Sequence, residues 1–245
     1  MSEEQHAYKF KSAANTSAWS TYRRLYYGEI SLLRAIRAEA TTFLFGTTPG
    51  AVGLGIRKFA YPPLLGSSGT KTIFGRNLTL RHPHKIFLGD QVILDDNVVL
   101  DAKGDSNQGI SIGSNVYIGR NTIIYCKNGN IRIGDNVNIS SNCQIFSSGD
   151  MEIQDGTMIA AFCYLLNGGS YEISKEAPPF AKQNGTKSKG PTVVGRNSWL
   201  ASHVTITDGV KLGTHCVVGA GSVVLKDMPA DALCVGAPAR KIRQL

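Results

Sequence analysis

The sequence predicts an all-β protein, a solenoid of short parallel strands, on three observations. An aliphatic residue returns every six positions, a small or β-branched residue stands four places after it, and Gly often follows it directly. A period of six fits neither a helix nor simple alternation, but it fits a strand plus a turn, repeated. The aliphatic anchors are Leu88, Leu94, Leu100, Ile112, Ile118, Ile124, Ile133, Ile139, Ile145, Ile153, Ile159, Leu165, Val194, Leu200, Ile206, Leu212, Val218 and Val224.

Three such hexads make one triangular coil, and coils stacked about 4.8 Å apart align the anchors in an interior column. We expect the Gly after an anchor, as at Gly89 and Gly113, to occupy a corner with positive φ. The residues four places after an anchor should also point inward. They are Val92, Val98, Val116, Thr122, Val137, Cys143, Thr157, Cys163, Ser198, Val204, Cys216 and Ser222.

The spacing divides the chain into three parts. Residues 1–71 lack hexads and read as an apolar, helical segment, and residues 226–245 read as a basic tail with a loop or short helix. The solenoid occupies 72–225. A step of 41 positions from Ile153 to Val194 predicts an extruded loop over 167–191, and a smaller loop is expected near 103–108. A long loop on a rigid scaffold is the default place for function.

Composition predicts one body in a reducing compartment. The chain has 245 residues, 42% of them apolar, which is enough for a buried core. It has no apolar stretch of about 18 residues and no apolar signal core at its start, so we expect a cytoplasmic protein. The five cysteines are interpreted as small buried hydrophobes.

The net charge of +8 raises the question of anionic partners. Nucleic acid is not expected, because aromatic residues are not interleaved with a basic stripe. Residues 32–65 mix Leu, Ile, Phe and Tyr with four cations. This segment is expected either to lie on a membrane surface, peripheral to the inner face, or to cap the open end of the solenoid.

From Trp199 onward the chain carries a series of short motifs. They are Trp199-Leu200-Ala201-Ser202-His203-Val204, Asp208-Gly209-Val210, Val218-Gly219-Ala220-Gly221-Ser222, Lys226-Asp227-Met228-Pro229 and Gly236-Ala237-Pro238-Ala239-Arg240. With the hexads, they resemble the hexapeptide-repeat acyltransferases, in the maltose and galactoside acetyltransferase branch related to polysaccharide O-acetyltransferases. The resemblance implies a left-handed parallel β-helix.

The same resemblance implies a homotrimer that binds acetyl-coenzyme A between two chains and uses no metal. Backbone amides at Ser202 and Ala220 would hold the pantetheine arm. Lys226, Arg240 and Arg243 would bind the phosphates, or else belong to a solvated basic tail. Three His converging on a zinc ion are not expected, because no His pair has a suitable spacing.

The family's catalytic His corresponds to Ser170 of this chain, and no His occurs between Cys126 and Ser202. Three alternatives stay open. Glu172 could serve as the general base if it is partly buried, with Tyr171 binding the acceptor. A His from elsewhere could take the role: His203, in the coil that forms the cleft, or the more remote His6, His82, His84 and His215. Catalysis could also be lost, leaving a trimeric scaffold.

Two residues could contact the acceptor. Asn142 corresponds to an acceptor-binding Asn of the family, or it belongs to an Asn ladder, and Trp199 walls the pocket or fills a subunit interface. The predicted function is acetyl-coenzyme A dependent O-acetylation of a sugar in a bacterial surface polysaccharide, a lipopolysaccharide or a lipid-linked precursor. The alternatives are N-acetylation of a nucleotide-linked amino sugar and the inactive scaffold.

Overall fold

The computed structural model describes residues 17–183 and 185–245, and it is a parallel β-helix with three helices before it. Three sheets run the length of the solenoid, and we call them faces 1, 2 and 3 in the order in which the chain visits them. Each strand pairs in parallel with the equivalent strand of the next coil, about twenty residues further on in the regular coils. This arrangement confirms the hexapeptide solenoid predicted from the sequence.

Seven three-stranded coils are followed by an incomplete eighth. The first three coils contain β1 (Ser67–Ser68), β2 (Ile73–Phe74), β3 (Thr79–Arg81), β4 (Ile86–Leu88), β5 (Ile93–Leu94), β6 (Val99–Asp101), β7 (Ile110–Ile112), β8 (Tyr117–Ile118) and β9 (Ile123–Cys126). The next two contain β10 (Asn130–Ile133), β11 (Asn138–Ile139), β12 (Gln144–Ser147), β13 (Asp150–Ile153), β14 (Met158–Ile159) and β15 (Tyr164–Asn167). The last two contain β16 (Thr192–Val194), β17 (Trp199–Leu200), β18 (Thr205–Ile206), β19 (Lys211–Leu212), β20 (Val217–Val218) and β21 (Val223–Val224).

The core is the interior column that the hexads predict. Every aliphatic anchor and every small residue four places after it is buried. The inward small positions include Cys143, Cys163 and Cys216, and all five cysteines are free and buried. Their interpretation as small hydrophobes is therefore confirmed.

The corners differ from the prediction in one respect. Positive φ falls three positions after the anchor, as at Asn97, Asn121 and Asn142, and not on the Gly that follows the anchor. That Gly is needed for another reason: a Cβ at Gly89 would lie 2.7 Å from the backbone carbon of Gly113 in the next coil. The coils are thus too closely stacked for a side chain there, while Asn, which tolerates the left-handed region, makes the turn.

The helices are α1 (Ala18–Tyr26), α2 (Leu32–Phe45) and α3 (Gly50–Ala60), and they confirm the helical segment. Ser17 and Ser31 cap the first two, each accepting a backbone N–H three residues on. The helical segment covers the free end of the first coil. Two backbone hydrogen bonds attach it there: Asn77 N–H donates to Gly46 O, after α2, and His82 N–H donates to Tyr26 O, at the end of α1. No helix in this part of the chain has the length and apolar character to cross a membrane.

The first coil begins at Ser67, and its inward residues are Ser68, Phe74 and Leu80. These three keep the six-residue spacing. At the other end, the expected loop or short helix is instead an antiparallel hairpin of β22 (Ala232–Gly236) and β23 (Ala239–Gln244). β22 pairs with β20 and so extends face 2. A hairpin forms because the last coil leaves an unpaired edge that another strand can cover.

Candidate active site at the base of the extruded loop

The extruded loop comprises residues 168–191, between β15 and β16. Its base is fixed by Asn167, which is fully buried. The Asn167 amide nitrogen donates to Ser188 Oγ, to Gly190 O and to Thr192 Oγ1, at 3.3, 2.7 and 3.1 Å. The two ends of the loop are therefore held together by one amide group.

Asp208, in the coil after the loop, is a second anchor. Its buried carboxylate accepts hydrogen bonds from the backbone amides of Gly168 and Lys189 and from the hydroxyls of Ser188 and Ser170. Burial opposes ionisation, but the backbone and hydroxyl hydrogen bonds outweigh it and hold the pKa of Asp208 below its usual range. A carboxylate so stabilised is a poor general base and a strong structural clamp.

The three loop residues predicted to carry chemistry have separate positions. Ser170 Oγ lies 3.1 Å from Asp208 Oδ2 and is engaged in the clamp. Tyr171 packs edge-on against Phe180, with ring centroids 6.0 Å apart. Glu172 is exposed, and its carboxylate accepts a hydrogen bond from Ser174 Oγ. Glu172 would need partial burial to act as the general base, and in the single chain it is not buried.

His203 and Asn142 occupy equivalent corner positions between faces 2 and 3, both with φ of 59°. Asn142 Oδ1 accepts from Asn121 Nδ2 at 3.2 Å, as an Asn ladder requires. His203 is exposed and stacks on Phe162 of the preceding coil, with ring centroids 5.0 Å apart and an interplanar angle of 3°. The His203 ring is thus held flat along the corner with its edge open.

Ser202 and Ala220 lie at the same corner in successive coils, and Gly221 N–H donates to Ser202 O across 2.9 Å. Their small side chains leave the backbone accessible. Trp199 stands on the adjoining face 2, 48% exposed, in register with Met158 and Val217. These residues form a ledge along the outer surface of coils six and seven, which we call the corner ledge (Trp199, Ser202, His203 and Ala220).

The predicted phosphate-binding residues follow this ledge in the sequence. Arg240 and Arg243 are on β23, and Lys226 follows β21; all three are exposed. None of them forms an ion pair with a carboxylate in the described part of the chain. They are consequently free to bind an anion.

A trough of about 650 Å³ runs along face 1. It lies between the small loop, which spans residues 102–109, and the end of the extruded loop at Pro191. Its lining is Phe87, Gln108, Gly109, Ile110, Ser111, Asn130, Ile131, Arg132, Asp150, Met151, Glu152 and Pro191. The trough is thus on a different face from the corner ledge.

Sequence reasoning missed this trough and the two anchors. The available signals are the polar residues Asn130 and Asp150 at equivalent strand starts, and the Asp208-Gly209 pair.

His82, His84 and His215 lie away from the loop, and His6 is outside the described residues. His82 is buried beside Asp101, with Nδ1 and Oδ1 3.7 Å apart, and burial lowers the pKa of His84 to about 4. His215 binds Asp231. Among residues 17–183 and 185–245, no group of three or more His, Cys, Asp and Glu is arranged to hold a metal ion.

The repeated hexads and the stacked coils define a hexapeptide-repeat protein. The family model "Bacterial transferase hexapeptide (six repeats)" matches residues 191–226. The galactoside O-acetyltransferase of Escherichia coli K12 is 32% identical over 140 residues, which are 55% of this chain and 57% of that protein. These matches bear out the resemblance to hexapeptide-repeat transferases that the sequence shows. The chain spans somewhat more than half the length of the curated relatives it matches.

The chain is also similar to two solved structures, and the first of them shows the fold. A mutant of AntD, an N-acyltransferase from Bacillus cereus, in complex with dTDP-4-amino-4,6-dideoxyglucose and coenzyme A, is 21% identical with a TM-score of 0.50, and the match covers 74% of this chain and 83% of that one. A maltose O-acetyltransferase from Clostridium difficile 630 is 24% identical with a TM-score of 0.49 over 91% and 95% of the two chains.

Proposed function

We propose that this protein is an acetyl-coenzyme A dependent O-acetyltransferase that modifies a sugar hydroxyl in a bacterial surface polysaccharide, a lipopolysaccharide or a lipid-linked precursor. The observation that carries the proposal is the corner ledge with its small residues Ser202 and Ala220, together with three exposed cations, Lys226, Arg240 and Arg243, that form no ion pair in the described part of the chain. A backbone ledge suits the amides of a pantetheine arm, and Lys or Arg suits phosphate. The curated relative with 32% identity is named an O-acetyltransferase, which supports this reaction class.

The active form in this proposal is a homotrimer. Face 2 carries an outward column of mostly apolar side chains that includes Ile73, Tyr117, Met158 and Trp199, with Asn138 between Tyr117 and Met158. Met158 is 51% exposed in the single chain. Apolar surface of this kind is suited to contact between subunits. A neighbouring chain on face 2 would also turn the open ledge into a cleft.

In the reaction, the acceptor oxygen attacks the thioester carbonyl carbon, a C–O bond forms, and the C–S bond breaks to release the coenzyme thiol. The hydroxyl proton passes to a general base. Two side chains remain candidates: Glu172 in the loop and His203 on the ledge. Glu172 is exposed in one chain, so its use requires burial by a neighbouring chain. His203 already adjoins Ser202 and presents an open ring edge.

The trough on face 1 supports an extended acceptor. The lining runs from Phe87 in the second coil to Pro191 at the start of the sixth, so the trough is about 19 Å long at about 4.8 Å per coil. Amides, carboxylates and the Arg132 guanidinium offer both donors and acceptors, as a chain of hydroxyl-rich sugars requires.

We propose that the reaction takes place in the cytoplasm, because a reducing compartment keeps thiols free.

Coenzyme binding provides the first test. Coenzyme A should raise the thermal midpoint of the wild type, and the Lys226→Ala, Arg240→Ala double variant should lose most of that shift. Lys241→Ala is the matched control, because Lys241 lies on the same hairpin but its Nζ is engaged by Gln244 Oε1. No shift in the wild type would contradict the transferase and favour the inactive scaffold.

The base is identified by turnover with coenzyme binding intact. Glu172→Gln is compared with Glu176→Gln, a second exposed loop carboxylate, and His203→Asn with His215→Asn, a corner His one coil further on. The variant that removes the base should lose a hundredfold or more in kcat. The two control variants, Glu176→Gln and His215→Asn, should keep the wild-type kcat. Acetylation of an amino-sugar nucleotide in place of a hydroxylated glycan would assign the N-acetyltransferase reaction instead.

A further inference from the structure

The helical segment has a surface that the solenoid does not use. α3 packs on β2 through Gly53 and Arg57, and α2 turns Ala35, Ala38 and Thr41 toward its neighbours. Only the inner sides of α2 and α3 therefore contact the rest of the protein and cap the solenoid. The opposite side faces solvent.

This outer side is rich in large apolar residues. Leu33, Phe43 and Phe59 are 77%, 84% and 75% exposed. The complete set, which we call the outer apolar face, is Leu32, Leu33, Ile36, Phe43, Leu44, Val52, Leu54 and Phe59. On α2 the positions 32, 33, 36, 40, 43 and 44 share one side at 3.6 residues per turn, so the face is continuous along that helix.

Cations border the outer apolar face. Arg37 flanks it on α2, and Lys58 stands beside Phe59 on α3; both are exposed, and neither forms an ion pair within the described residues. Residues 17–65 contain six Lys and Arg against two Glu. One of those two, Glu39, is engaged by the hydroxyls of Tyr22 and Tyr27. The surface is consequently both apolar and positively charged.

We propose that the outer apolar face docks on an anionic lipid bilayer. An apolar stripe bordered by Arg and Lys is the pattern of helices that lie in the interface, with the apolar side chains entering the acyl boundary and the cations contacting lipid phosphates. A second copy of this chain would bring a surface of the same positive sign, so charge complementarity favours the lipid. No helix here could span the bilayer, so the contact is peripheral.

The docking proposal goes beyond the proposed acetyl transfer and does not depend on it. The cap places the membrane at the first coil, whereas the extruded loop leaves the solenoid after the fifth coil. Four coil intervals of about 4.8 Å separate them, or about 19 Å along the axis. Vesicle binding and coenzyme binding can therefore fail separately.

The experiment is flotation of the full-length protein with vesicles. Vesicles of phosphatidylcholine and phosphatidylglycerol in equal parts should carry the wild type, and vesicles of phosphatidylcholine alone should carry much less. The Leu33→Ser, Phe43→Ser, Phe59→Ser variant should partition at least tenfold more weakly. The Arg37→Gln, Lys58→Gln variant should lose about fivefold per cation on anionic vesicles, and its binding should depend less on salt.

The matched control removes three exposed apolar side chains elsewhere, through Ile173→Ser, Leu225→Ser and Ile242→Ser, and should float like the wild type. Each helix variant should keep the wild-type circular dichroism and thermal midpoint, since the replaced side chains are exposed. Wild type that stays unbound on anionic vesicles, or equal losses in the control, would overturn the proposal. A higher oligomer that only the apolar variant loses, with vesicle binding unchanged, would assign the face to a second copy.

Discussion

Ser170 Oγ donates a hydrogen bond to Asp208 Oδ2 across 3.1 Å, and this contact joins the start of the extruded loop to the coil that follows it. The position that the family resemblance assigns to a catalytic His is thus part of a clamp. Asp208 accepts three further hydrogen bonds from the loop, so its charge organises both ends of the segment.

Replacing Asp208 by Asn should loosen the loop. The substitution removes the charge and places an amide donor among groups that already donate, and each unsatisfied buried group costs about 1–3 kcal/mol. We expect a lower free energy of unfolding and faster trypsin cleavage at Lys175, Lys182 and Lys187. Cleavage at the wild-type rate would show that the loop is held by other contacts.

The effect of Asp208 should depend on pH. A carboxyl group whose pKa is lower in the folded state contributes stability that is fully present above its unfolded value of about 3.9, and that is lost as the pH falls through the folded value. The difference in free energy of unfolding between wild type and Asp208→Asn should therefore shrink between pH 5 and the lowest pH at which the protein folds. Urea titrations at several pH values measure it.

The two roles open for Asn142 can be separated by its ladder partner. Asn142→Gly and Asn121→Gly each remove the same side-chain hydrogen bond, while Gly tolerates the positive φ of both corners. Both should destabilise the fold by about 1 kcal/mol. If KM for the acceptor rises in Asn142→Gly and not in Asn121→Gly, Asn142 belongs to the acceptor site. If the two variants have the same KM, Asn142 is a ladder residue only.

Arg57 should be important for attachment of the helical cap. Its buried guanidinium donates to Phe45 O, Thr48 O and Phe74 O, so it joins the end of α2 to the first coil. Arg57→Met would leave these carbonyls unpaired and should cost at least about 3 kcal/mol in urea unfolding.

The control for Arg57 is Arg76→Met. Arg76 forms an exposed ion pair with Asp96, at 3.5 Å, of the kind that contributes under about 1 kcal/mol. Similar losses for the two variants would contradict a specific role for Arg57.

The cysteines should be inert in the folded protein. Burial raises the pKa of Cys216 to about 12 and also raises that of Cys126, and only thiolates react readily with disulfide reagents. The hydrogen bond with Cys163 lowers the pKa of Cys143, but burial shields that thiol from the reagent as it does the other four. We expect no reaction with a chromogenic disulfide at pH 8, and five thiols per chain after denaturation. Rapid labelling of the native protein would indicate that the core opens.

The interior of the solenoid was predictable, because each inward position repeats a simple requirement for an aliphatic or small side chain. The start of the first coil, at Ser67, was not predictable from the hexads, because Ser68 occupies an inward position but is not apolar. The turn position escaped because Asn and Gly both adopt positive φ, and only the backbone shows that Asn97 turns whereas Gly89 avoids a clash.

The site was less predictable for a different reason. The clamp of Asp208 on Ser170 and the face 1 trough join residues from different coils, and such contacts follow from the path of the loop. Hexad spacing carries no information about that path. The C-terminal hairpin depends likewise on an open sheet edge that sequence alone does not display.

The stacked coils act as a spacer of fixed increments. Each coil added or removed between the helical cap and the extruded loop would move the loop by about 4.8 Å along the axis while leaving both ends chemically unchanged. The number of coils therefore sets the distance between the helical cap and the extruded loop. Insertion or deletion of about twenty residues would change that distance without altering either end.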